Sequence, residues 1–181
     1  MKRVALLVAL ILLAGCAGDA ADSAPRTFDL GIAAPAAKFP ALRVSARAFP
    51  PFDTVQMYYR LAWRNPSELA DYALSHWSAP PAELLRKQVL RSAGEGTGKC
   101  MLEVEVHEFT QVFTTKESSE VRIEARVSLS NGPARIASRG LTASEPNAGA
   151  EAASGAAAMA RATERLLQEL SGWVSKHSAC A

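Results

Sequence analysis

Histidine, cysteine and aromatic residues are scarce in this sequence, with three His, three Cys and 7% Phe, Trp and Tyr in 181 residues. What catalysis needs is missing with them. A nucleophile requires a base and an orienting group, and His76 beside Trp77, His107 among Glu103 and Glu105, and His177 near the chain end suggest no such set. His107-Glu108 has no second His at the spacing of a helical zinc site, no Gly-x-Ser-x-Gly elbow occurs, and Cys100, His107 and Cys180 lack ligand-like local spacing. Gly94-Glu95-Gly96-Thr97-Gly98-Lys99 is not a phosphate loop: the first Gly of that motif falls on Ala93, and Cys100 replaces the Ser or Thr that binds magnesium. The expectation is a protein that is not an enzyme and holds no cofactor and no metal. Long apolar runs are absent too. The longest, Val4 to Leu13, is too short for a membrane span of about 20 residues.

That run is nevertheless informative. Lys2 and Arg3 precede it and Ala14, Gly15 and Cys16 follow, the anatomy of a secretory signal with a Cys at the cleavage site. Leu13-Ala14-Gly15-Cys16 resembles the lipobox of bacterial lipoproteins, in which the Cys is acylated and the chain is cut just before it. Residues 1–15 are then a signal peptide and 16–26 a flexible tether, small and polar without period. Several acyl chains on Cys16 anchor the protein to a membrane without spanning it. Cleavage leaves 166 residues, enough for one domain, 27–181. It also removes Lys2 and Arg3, leaving 18 basic against 18 acidic side chains, so nothing argues for nucleic acid. In an exported protein Cys100 and Cys180 either pair, stapling the tail to the sheet, or remain two separate thiols.

Along the domain, Thr27 to Leu30 starts a short strand, Gly31 to Pro40 is a connecting loop, and Leu42, Val44 and Ala46 alternate with polar residues. Val55 to Leu61 and Leu69 to His76 form a hairpin about Asn65-Pro66-Ser67. Ser78 followed by Pro80, Pro81 and Glu83 predicts a helix to about Ser92, burying Ala82, Leu84, Leu85 and Val89. Strict alternation marks Leu102 to Val106, resuming at Phe109 after a bulge, and Val121 to Leu129. Asn131-Gly132 turns the chain into Arg135 to Thr142. Ser144 to Asn147 then caps a long helix, about Ala148 to Lys176, with Met159, Thr163, Leu166, Leu167, Leu170, Trp173 and Val174 on one face. The fold class is α+β: an antiparallel sheet of about five to seven strands with two helices packed on one face. Tyr59, Tyr72 and Trp77 suit cross-strand packing, whereas Trp63, next to the turn, has little core to fill and is the lead residue of a partner interface that includes Tyr58 and Arg60.

Met57-Tyr58-Tyr59-Arg60, then Tyr72, then His76-Trp77-Ser78-Ala79-Pro80-Pro81 opening a helix with Leu84-Leu85, is similar to the ABC-type transport auxiliary lipoproteins of the paraquat-inducible lipoprotein C type. Phe109-x-x-x-Phe113, the alternating strand at Val121 to Leu129, and Leu166-Leu167-x-x-Leu170-x-x-Trp173 follow in the same order. The likeness spans Thr27 to Trp173, and departs from the family in the reduced first strand and in the additional Cys100 and Cys180. It implies a docking or anchoring subunit of a lipid transport system containing mammalian-cell-entry (MCE) proteins, held at the periplasmic face of the outer membrane. The MCE protein is the implied partner, with a second copy of the chain another candidate. Ala17 in place of the Asp that retains enterobacterial lipoproteins in the inner membrane favours that location. The competing reading is a different outer-membrane assembly lipoprotein, of the lipopolysaccharide-assembly plug type.

Overall fold

The computed structural model describes residues 24–32, 35–95, 98–147 and 149–180, so the signal peptide and Cys16 lie outside the described residues. In chain order the elements are β1 (Arg26–Phe28), β2 (Arg43–Ala48), β3 (Gln56–Leu61), β4 (Ala70–Trp77), α1 (Pro81–Ser92), β5 (Cys100–Phe113), β6 (Ser119–Asn131), β7 (Ala134–Asn147) and α2 (Ala152–Val174), followed by a short 3₁₀ turn, Ser178–Cys180.

All seven strands join one sheet in the order β1-β4-β3-β5-β6-β7, with β2 also on β5. The sheet is mixed, which corrects the antiparallel expectation. β3 and β4 form the expected hairpin, but α1 carries the chain across the sheet so that β5 returns parallel to β3. β2 and β3 share one edge of β5. Arg43–Ala48 run parallel to Met101–Val106 and Tyr58–Leu61 to Thr110–Phe113, so residues 49–55 loop out of what would otherwise be a single strand. β1 is also parallel to its neighbour β4. β5, β6 and β7 form an antiparallel meander, and the bulge expected after Val106 is present.

Period-two alternation decides which face is buried. Leu102, Val104 and Val106 of β5 and Val121, Ile123, Ala125, Val127 and Leu129 of β6 join one core with Leu84, Leu85 and Val89 of α1 and Met159, Leu166, Leu167 and Leu170 of α2. Both helices therefore cover the same face. α1 starts later than expected, with Pro80 rather than Ser78 at the cap position and no side-chain cap. β7 continues through Asn147 where a helix cap was expected, and edge strands tolerate its Pro146.

The described residues between β1 and β2, expected to be mainly loop, form a strap between the two helices. Arg91 of α1 donates to the carbonyls of Gly31 (3.2 Å) and Ile32, Glu164 of α2 accepts from Ala36 N–H (2.7 Å), and Ser171 donates to the Lys38 carbonyl. Phe39 N–H donates to Ser92 O (2.9 Å), and Leu30, Ala37, Phe39 and Leu42 enter the core. Ion pairs from Glu145 to Arg161 (3.0 Å) and Arg165, and from Arg139 to Glu169, fasten α2 along β7. Just beyond the C-terminal end of α2 a disulfide joins Cys100 to Cys180, with a Cα separation of 5.5 Å.

Candidate interaction surface

Two turns meet at one end of the sheet. In the β3–β4 turn Asn65 Oδ1 accepts from Ser67 N–H (3.1 Å), the local bond that suits Asn before Pro. In the β5–β6 turn Thr115 Oγ1 accepts from the N–H groups of Glu117 (3.1 Å) and Ser118 (3.0 Å). Trp63 N–H donates to Phe113 O (3.3 Å), tying the two turns together, and Lys116 Nζ lies 5.4 Å from the centroid of the Trp63 ring. Trp63 is 44% exposed, unusual for a residue that gains so much by burial.

The second surface is the sheet face opposite the helices. Glu103, Glu105 and His107 of β5 alternate with its buried residues, and Arg122, Glu124 and Arg126 of β6 do the same. Arg47 bonds Glu105, and Arg60 makes a bidentate pair with Glu108 (3.0 and 3.1 Å), which also accepts from Thr110 Oγ1 (2.6 Å). Hydrogen bonding from Arg47 holds the Glu105 carboxyl below the ordinary carboxylate range, which favours its charged form. His107 stacks on Phe49, with centroids 5.3 Å apart. Beside it an open cleft of about 380 Å³ is lined by His107, Glu124, Arg126, Gly140 and Thr142.

The residues singled out in the sequence do not form one site. Trp63 is exposed at the sheet end. Arg60 stands half-buried in its pair with Glu108. Tyr58 is half-buried, edge-on to Phe52 with centroids 5.7 Å apart. Tyr59 and Tyr72 pack ring to ring at 4.8 Å, and Trp77 lies in the core against Phe109 at 5.3 Å. Burial, and then the neighbouring Tyr59, raise the Tyr72 phenol above its ordinary range, keeping it protonated to donate to Gln111 Oε1 (2.9 Å). Cys100 points into the core and is bonded to Cys180, while His107 belongs to the open face, so these three residues do not converge. The strap escaped sequence reading. Its only signal was Ala37 and Phe39 at alternate positions in an Ala- and Pro-rich stretch.

No family model and no curated protein matches the chain. Solved structures do. Protein XCC0632 of Xanthomonas campestris, of family DUF330, superposes with a TM-score of 0.67 at 22% identity, covering 83% of this chain and 91% of that one. A second structure, of an uncharacterized protein, also reaches 0.67, at 10% identity, covering 83% of this chain and 99% of that one. These likenesses show a shared fold. A Caulobacter crescentus protein described as a candidate lipoprotein reaches only 0.39 at 18% identity, over 54% of this chain and 80% of that one, too loose to bear on fold or function. The resemblance to the transport auxiliary lipoproteins therefore stands on its motifs and their order.

Proposed function

We propose that this chain is a lipid-anchored, non-enzymatic docking subunit of an ABC/MCE-type lipid transport system, held by Cys16 at the periplasmic face of the outer membrane. The observation that carries the reading is Leu13-Ala14-Gly15-Cys16, followed across Thr27 to Trp173 by the ordered motifs of the auxiliary lipoproteins. An anchored domain contributes by holding a surface where a partner meets it. The helix-free sheet face suits that role, because its ion-paired ladder offers charge complementarity that sets specificity and register more than bulk affinity. Lipid moves through a conduit formed mainly by the partner, with this chain supplying position.

Affinity purification of the full acylated chain from detergent-solubilised membranes tests the proposal. Recovery of an MCE-domain protein in stoichiometric amount is the expected result. A β-barrel translocon recovered in its place would overturn the MCE assignment in favour of the lipopolysaccharide-assembly type.

A further inference from the structure

The acyl anchor and the folded domain are joined by a segment of known length. Cys16 to Pro25 is ten residues, a reach of at most about 35 Å. β1 runs parallel to β4 with Arg26 opposite Ser75, so the chain enters β1 from the side of Ala70, where the β3–β4 turn lies. His76 pairs Gln56 and Ala70 pairs Tyr59 across an irregular register, so the turn end of β4 lies only about 10 Å further along the sheet at roughly 3.3 Å per residue. Cys16 can therefore lie at, or beyond, the sheet end that carries Trp63. The other end lies the wrong way: Gln56 pairs His76 and Tyr58 pairs Thr110, which sets Arg26 near the level of Phe109 on β5. Cys100 is then about 30 Å behind it, so a tether leading there must double back along the sheet.

We infer that the end of the domain formed by the β3–β4 and β5–β6 turns docks on the headgroup layer of the membrane that holds Cys16, with Trp63 inserted at the interface and Lys116 and Arg64 beside it; the inference rests on the anchor reading above. The chemistry fits that occupant. Trp sits at the headgroup level with an apolar ring and one N–H donor, and Lys and Arg bury their stems while keeping the charge in water. Lys116 already lies over the Trp63 ring. Docking this end stands the strands upright on the membrane and leaves the charged sheet face sideways, free for a partner.

The three Trp residues make the test internal. Trp77 is buried, at 4% exposure, and Trp173 lies near the far end of α2, about 32 Å along the helix axis from Ala152. The full acylated protein is reconstituted in vesicles of phosphatidylethanolamine and phosphatidylglycerol containing phospholipid brominated close to the headgroup. Emission of the wild-type protein is expected to fall by about the share due to Trp63, and Trp63→Phe, with unchanged melting temperature, to lose that quenching entirely. Wild-type protein that floats with the vesicles but is quenched no more than Trp63→Phe overturns the docked orientation and leaves the anchor intact. Wild-type protein that fails to float overturns both the anchor and the inference.

Discussion

A Cβ built on Gly155 would lie 2.2 Å from Oε1 of Gln111, which is 3% exposed and cannot swing away without losing its partners. Gln111 accepts from Tyr72 Oη (2.9 Å) and donates to Ser119 Oγ (2.9 Å) and Gly149 O (3.2 Å). Gly155→Ala is therefore expected to destabilise the protein by about 1 to 3 kcal/mol despite the better helix propensity of Ala, because a buried polar group must give up bonds. Denaturant unfolding of the variant checks this. The sequence offers Gly155 only as a weak point in an Ala-rich helix; its reason lies 44 positions away on β5. Arg60 teaches the same lesson. Its intramolecular partner Glu108 lies 48 positions away, and no local pattern reveals a pairing fixed by parallel register. Trp63 was legible because a turn tip offers little to bury it.

Among the elements, those with one buried face were the most legible. β5 and β6 alternate because one side meets both helices and the other meets water, and their register follows from that pattern. Strand direction was not legible, since β2, β3 and β5 carry the same alternation whether parallel or antiparallel. The strap failed for a different reason: its bonds go mainly from backbone groups to helix side chains, which leave no period. The attachment of α2 to β7 makes a pH prediction. Hydrogen bonding from Arg161, reinforced by Arg165, lowers the Glu145 pKa below its ordinary value. A depressed carboxylate pKa contributes stability that is present above the ordinary Glu range and lost as pH falls through the folded value. Melting temperature should thus decline from about pH 5 to pH 3, and Glu145→Gln should be less stable at neutral pH but decline less; parallel curves for the two proteins would remove this contribution. The Cys100–Cys180 bond closes a separation of 80 residues. Its loss in Cys180→Ser is expected to cost about 2 to 4 kcal/mol, or roughly 5 to 15 °C in melting temperature, measured by calorimetry without reductant.

At the scale of the molecule, the α+β class and the placement of both helices on one face were legible, while the assembly of the surfaces was not. Among the described residues, the exposed surface includes a Trp-bearing sheet end on the tether side and a charged sheet face across from the helices. On the proposed reading the first meets the membrane and the second meets the transport partner. Arg126 is exposed on that face and lines its cleft, so Arg126→Glu is expected to reduce co-purification of the proposed MCE partner at least tenfold while leaving the melting temperature within about 2 °C. Both assignments depend on Cys16 being the first residue of the mature chain. Intact mass spectrometry of protein extracted from membranes measures that directly. The expected result is a chain beginning at Cys16 and carrying a diacylglyceryl group with a further acyl chain on its amino terminus; a chain that retains residues 1–15, or that starts beyond Cys16 without lipid, would contradict the proposed anchor.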